Sequence, residues 1–203
     1  MLQLDVTDPG RYSDLLLLPN GQSMTIRFAD VADGRALQAY FRGLSPPSRY
    51  NRLMGAASEL PAGQLDLFIH FGQADGYSVL ATTTRAGQEV IAGEARYAFD
   101  QATSRFEFGL SVSDAMQRQG IGTALISNME CRAAAYGADR LFGDTLRSNG
   151  AMVALARKAG FALAPTPGDW KQMRFEKAID STPNAIPCAS WRLAAHASLA
   201  VAP

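Results

Sequence analysis

The sequence predicts an α+β domain built on a mixed, mostly antiparallel sheet with helices on both faces. Three observations lead there. Tyr77–Thr84, Glu89–Phe99 and Arg105–Val112 are strand-like runs separated only by Arg85-Ala86-Gly87 and by Asp100 to Ser104. Connections that short join antiparallel neighbours. After Val112 the periodicity changes: helix-spaced stretches alternate with short strands, which puts a parallel step in the middle of the sheet. Two more helix-spaced stretches precede Tyr77, so helical surface is available for both faces.

Taken in order, residues 1–21 read as an irregular lead-in, with Asp8-Pro9-Gly10 and Pro19-Asn20-Gly21 as turns. Met24, Ile26 and Phe28 alternate with polar residues and predict a first strand. Asp30 is suited to cap a helix with Asp33 in its first turn. Leu37, Tyr40, Phe41 and Leu44 then give that helix one buried face. Ser45 followed by Pro46 restarts a helix, because proline suits its first position. Gly55 to Gly76 reads as mostly loop, holding Pro61, Gly63, Gly72 and Asp75-Gly76, with a Leu65–Phe71 run able to pack on the sheet. Beyond the three antiparallel strands, Ile121, Leu125, Met129, Ala133 and Tyr136 mark a helix of about four turns ended by Gly137. Leu141–Thr145 is a short strand. Ser148 can cap a helix carrying Met152, Leu155, Ala156 and Ala159 on one face, closed by Gly160. Phe161 opens another strand, Pro165-Thr166-Pro167-Gly168 turns the chain, and Trp170–Glu176 alternates as the last strand. The domain thus spans 22–180. Residues 181–203, rich in Ala, Ser and Pro, read as a tail with one short docked element.

Composition removes several function classes. Lys plus Arg and Asp plus Glu number 19 each, so no broad basic face is available for nucleic acid. Only two histidines exist, His70 and His196, too few for a histidine-based metal cluster or triad. Cys131 and Cys188 are far apart and read as free thiols, not as a disulfide framework or zinc site. No metal is expected. The N-terminus lacks a basic start and apolar run, and no stretch approaches a membrane span, so a cytoplasmic protein without a membrane partner is expected. Monomer and homodimer remain equally open.

The segment Val112 to Thr123 carries the chemistry. A strand ends near Val112 and a helix begins near Gln119 or Gly120. Gly120 and Gly122 let the backbone approach a ligand closely. The first amides of the helix have no internal partners, and its dipole adds partial positive charge there. Arg118 adds a full charge. Together these make an anion site suited to a phosphate or pyrophosphate. The dinucleotide fingerprint would need a third glycine where Leu125 stands. A Walker loop would need Gly-Lys-Ser/Thr, which is absent.

Gln117-Arg118-Gln119-Gly120-Ile121-Gly122 resembles the Gln/Arg-x-x-Gly-x-Gly/Ala signature of the GNAT superfamily of N-acetyltransferases. The resemblance continues through Ser148-Asn149 and Arg157-Lys158-Ala159-Gly160-Phe161 and covers about residues 22–178. More narrowly, Phe41 to Tyr50 with Arg52, then Arg105-Phe106-Glu107-Phe108 and Asn149 to Ala156, are similar to bacterial Pat-type protein lysine acetyltransferases, which acetylate acyl-CoA synthetases and related enzymes. The resemblance implies a GNAT-like sheet and acetyl-CoA as acyl donor. It implies backbone groups of Leu110 and Val112 for the pantetheine arm. Gln117, Arg118, Gln119, Gly120, Ile121, Gly122 and Thr123 would cradle the pyrophosphate. Asn149 would face the cofactor arm, or else serve as a local cap beside Ser148.

Transfer to an amine needs a base, since a lysine ammonium has a pKa near 10.4. Glu107, in an otherwise apolar strand, is the first candidate; its spacing to Gln117 matches the glutamate of Pat-like sequences. Its alternative is an exposed carboxylate paired with Arg96 or Arg105. Glu94, on the neighbouring strand, is the second candidate, or a cross-strand ion pair. Ala156 stands where many GNAT enzymes carry a tyrosine acid, leaving Ser111 or a water for the leaving thiolate. Tyr136 and Cys131 read as packing. Arg49 and Arg52 read as a solvated helix face or as contacts to an acidic patch on a partner. Three functions follow: acetylation of an exposed protein lysine, acetylation of a small amine, and non-catalytic sensing of acyl-CoA.

Overall fold

The computed structural model describes residues 4, 8–70, 72, 76–166 and 168–200. Asp75 of the expected Asp75-Gly76 turn, the Phe71 end of the Leu65 run and the turn residue Pro167 lie outside them. Eight strands among the described residues form one sheet: β1 (Asp14–Leu17), β2 (Ser23–Phe28), β3 (Gly76–Arg85), β4 (Gln88–Asp100), β5 (Arg105–Val112), β6 (Arg140–Leu146), β7 (Ala162–Thr166) and β8 (Asp169–Ala178). Their order is β1-β2-β3-β4-β5-β6-β8-β7. Every pairing is antiparallel except β5 with β6, the expected parallel step.

Six α-helices among the described residues flank this sheet: α1 (Gly34–Gly43), α2 (Pro46–Leu53), α3 (Ala62–Ile69), α4 (Ile121–Tyr136), α5 (Gly150–Lys158) and α6 (Ala189–Ala200). Alternation along the strands divides the apolar side chains between two cores. Met24, Ile26, Phe28, Phe106 and Phe108 pack toward α4. Leu80 packs with Leu37, Phe41, Leu60 and Phe68 beneath α1 and α3. Ser45 caps α2, accepting from Ser48 N–H, with proline in the first turn. Ser45 and Ser48 also donate to Asp114, which ties the start of α2 to the loop after β5.

Three expectations are corrected, and the docked element expected in the tail takes shape as a helix. Residues 14–17 are not irregular lead-in but the edge strand β1, with Tyr12 and Leu18 on either side of it buried. The 55–76 loop contains a helix, α3. The tail docks as α6, with Trp191 fully buried and stacked on Tyr12. Cys131 and Cys188 form a disulfide that staples α6 to α4. The same junction explains why α4 buries Asn128 and Arg132. The Arg132 guanidinium lies 4.2 Å from the Trp191 ring centroid and donates to Asn128 and Tyr97. Asn128 and Ser190 both donate to Asp14. The tail thus covers these polar residues of α4.

No helix among the described residues is long and apolar enough to cross a membrane.

Candidate active site

β5 and β6 pair only over Arg105–Glu107 with Arg140–Phe142. Beyond that the two strands part. Gly143 lets the Phe108 carbonyl approach so closely that a Cβ has no room. Strand alternation puts the Leu110 and Val112 backbone groups on the same edge as that carbonyl. Ser113 N–H, on the opposite edge, bonds Ala92 of β4. Leu110 and Val112 therefore face an opening where β6 no longer accompanies β5.

Two clefts meet there. The first, about 370 Å³, runs from the open edge of β5 to the start of α4. The second, about 540 Å³, lies between α2, α3 and the cleft-facing side of β4, β5 and β6. Asn51, Arg52, Leu110, Asn149 and Met152 line both.

The first cleft is basic: Arg52, Arg118 and Lys158 line it and no carboxylate does. Arg118 and Gly120 hold left-handed backbone, φ 62° and 92°, and turn the chain into α4. The Ala124 amide is the first to bond back, to Gly120 O at 2.9 Å. Amides 121–123 are left for an outside acceptor. Gly122 packs against α5, where a Cβ would stand 2.9 Å from Leu155 Cδ2. Thr123 lines the cleft, whereas the Ile121 side chain is core. The Gln117 and Gln119 side chains brace the loop through Val112 O and Ala115 O. Asn149, not Ser148, caps α5: its Oδ1 accepts from Met152 N–H and its Nδ2 donates to Thr145 Oγ1. The sequence reading missed Lys158 and Met152. With Ala151 and Leu155 they form a stripe of α5 at helical spacing, counted from the Asn149 cap.

The two glutamates part company. Glu107 is exposed, lines the second cleft and makes no hydrogen bond or ion pair with a described residue. Neither expected partner holds it: Arg105 pairs with Glu176, and Arg96 donates to Leu67 O and Ser78. The Arg174 charge feels it across the sheet. Glu94 is fully buried and takes a two-point ion pair from Arg52, at 2.6 and 3.0 Å. Ser111 Oγ donates to the same carboxylate at 2.5 Å and also meets Tyr40 OH at 2.9 Å. The cross-strand ion-pair expectation for Glu94 thus gives way to a pair with α2. Burial works against the Arg52 charge, but Glu94's charge and hydrogen bonds outweigh it and hold the pKa above its ordinary value. Burial, then the Glu94 charge, push Tyr40 up. Arg96 is held down by burial and by Arg52. Asp144, in the second cleft, pairs with Arg174 at 2.6 Å.

Arg49 and Arg52 are not a solvated face. Arg49 donates to the carbonyls of Arg42, Leu44 and Ala57. Ala156 is fully buried and Tyr136 packs among core aromatics.

A family model described as the acetyltransferase (GNAT) family matches residues 45–161. No curated protein sequence matches significantly. Among solved structures, the GNAT domain of S. lividans PAT is 23% identical with a TM-score of 0.75, covering 84% of this chain and 99% of that one. The yncA structure from Salmonella typhimurium, solved with its cofactor acetyl-CoA, is 21% identical with a TM-score of 0.59, covering 82% and 98%. Spermidine N-acetyltransferase from Vibrio cholerae, in complex with CoA and spermine, is 12% identical with a TM-score of 0.62, covering 78% and 96%.

Proposed function

The chain belongs to the acetyltransferase (GNAT) family, and from that premise we propose that it transfers an acetyl group from acetyl-CoA to a protein lysine. One observation carries this reading. A basic cleft and a mixed-charge cleft meet where β5 and β6 part, and Glu107 stands unpartnered in the second. The basic cleft suits acetyl-CoA. Leu110 and Val112 offer it a strand edge, amides 121–123 with Arg118 and Lys158 suit its phosphates, and Asn149 faces its arm. The acetyl-CoA supplies the activated acyl group.

Glu107 has lone pairs free to take the proton from an incoming ammonium, directly or through water. Glu94 does not: its oxygens are committed to Arg52 and Ser111. Direct transfer is the simplest route, since Cys131 lies in a disulfide.

The charge pattern of the second cleft favours a single lysine over a polyamine. Its charged lining residues are Arg52, Arg96, Glu107 and Asp144, and Arg174 already neutralises Asp144. A polyamine needs several unpaired carboxylates; Glu107 alone among the described residues offers one. The similarity to Pat-type enzymes points to acyl-CoA synthetases as partners. The test is thiol release from acetyl-CoA with a panel of acyl-CoA synthetases and with spermidine, followed by mass spectrometry of the acetylated product. Turnover with spermidine and none with any protein would overturn the lysine assignment.

A further inference from the structure

Acetyl transfer leaves a thiolate, and neither the residues shared by the two clefts nor the serines of the donor cleft have a proton to spare for it. The residues shared by both clefts are Asn51, Arg52, Leu110, Asn149 and Met152, none with a hydroxyl or thiol. Of the hydroxyls along the donor cleft, Ser48 gives its proton to Asp114 and Ser111 gives its proton to Glu94. Thr123 stands in the first turn of α4, with the phosphate-binding amides. The buried Ala156 contributes nothing.

Arg52 is different. Its Nε and Nη2 are held by Glu94, so the plane of the guanidinium is fixed. Its Nη1 has no hydrogen-bond partner among the described residues and is not among the side-chain atoms that are sealed from solvent without a partner. That nitrogen lies over Gly109, 3.3 Å from where a Cβ would stand. Gly109 is the neighbour of Leu110 and sits midway between Glu107 and Ser111 on one face of β5. An oriented cation thus lies over the face of β5 at the residue next to Leu110, in the lining of both clefts.

We propose that Arg52 Nη1 is a catalytic group that stabilises the departing CoA thiolate. The inference rests on the N-acetyltransferase reading above. The amine nitrogen forms a bond to the acetyl carbon, and the carbon–sulfur bond breaks with its electron pair on sulfur. Glu107 takes the amine proton and passes it to water. Arg52 holds the sulfur as thiolate until solvent protonates it. Glu94 acts through Arg52 as a positioning residue, and Gly109 admits the guanidinium. Other charged groups face the same space: Arg96, Glu107 and Asp144 on the acceptor side, Arg118 and Lys158 on the donor side.

The test compares CoA with desulfo-CoA by calorimetry from pH 6 to pH 9, which cancels binding of the rest of the molecule, and the Arg52 variants then separate Arg52 from the other charged groups. For the wild-type chain, the preference for CoA should grow roughly fivefold or more across that range. A one-unit depression of the bound thiol is worth about tenfold at its limit. In the double variant Arg52→Met/Glu94→Gln, which buries no unpaired charge, the preference should be flat with pH. Any change in desulfo-CoA affinity should be the same at every pH, and kcat should fall roughly 10²-fold. Arg52→Lys keeps a cation for Glu94 but lacks the second nitrogen, and should behave likewise. A flat wild-type preference, or variants that retain the wild-type preference and kcat, would overturn the inference. A wild-type chain that binds neither ligand would overturn the underlying reading instead.

Discussion

Glutamine at Glu94 and glutamine at Glu107 should do opposite things. Glu94 is fully buried, and its removal as an anion leaves the Arg52 guanidinium, 15% exposed, without its counter-charge. Breaking one side of a buried pair costs about 3–5 kcal/mol. Glutamine fills nearly the same volume, so no cavity adds to this. For a chain of 203 residues, the unfolding entropy is about 0.4 kcal/mol per kelvin, so Tm should fall by about 7–12 °C. Glu107 is exposed and unpartnered, and Glu107→Gln should leave stability within about 0.5 kcal/mol, roughly 1 °C. Its kcat should fall about 10²- to 10⁴-fold, the usual worth of a positioned base. High pH should restore part of that rate, as the amine loses its proton unaided near pH 10.4. Thermal melts and thiol-release kinetics on both variants decide the matter. A Glu94→Gln chain that melts like wild type, or a Glu107→Gln chain that turns over at the wild-type rate, refutes the division of roles.

The Cys131–Cys188 disulfide closes a sequence separation of 57 residues, for which chain entropy gives up to about 4 kcal/mol. Melts with and without reductant should therefore differ by about 5–10 °C, and Cys188→Ser should match the reduced chain. Asn149→Ala should lose the α5 cap at about 1 kcal/mol, while Asn149→Ser keeps a capping oxygen; calorimetry with acetyl-CoA should show both weakened, separating the cofactor contact from the cap. Burial opposes the charged forms of Asp33, Asp114 and Asp144, but hydrogen bonds, joined by neighbouring arginines at Asp33 and Asp144, still hold all three below the ordinary carboxylate value. Their stabilisation is complete above about pH 4 and is lost as pH falls through the depressed folded-state values. Urea titrations from pH 6 down to pH 2 should show that loss, and Asp114→Asn should flatten part of it.

The strands and helices read well where the pattern was local. Met24, Ile26 and Phe28 alternate, and all three are core. Leu37, Tyr40 and Phe41 recur at helical spacing and are buried on α1. The misses share one cause, which is dependence on distant partners. Leu15 and Leu17 of β1 are 76% and 74% exposed, so this strand is held by pairing to β2 and not by its own pattern. The burial of Arg132 depends on Trp191, which comes from a tail without strong periodicity. The disulfide was invisible for the same reason: only docking of α6 brings Cys188 to Cys131.

The site divides along the same line. The donor cleft is built mostly from one continuous segment, 110–123, and one stripe of α5, with Ser48, Asn51 and Arg52 of α2 closing it, and its glycines and Arg118 announce themselves in order. The acceptor cleft is assembled from α2, α3, β4, β5 and β6, so spacing along the chain says little about it. Glu94 and Glu107 look alike as single carboxylates in neighbouring strands. They share a sheet face, since Glu94 is opposite Ser111 and Glu107 opposite Ala98. What separates them is Arg52, which descends from α2 onto Glu94 and reaches no farther than Gly109. One glutamate is thereby spent on holding an arginine, and the other is left free to move a proton. On the proposed mechanism, a residue that reads in sequence as part of a helix surface decides which carboxylate serves as the base.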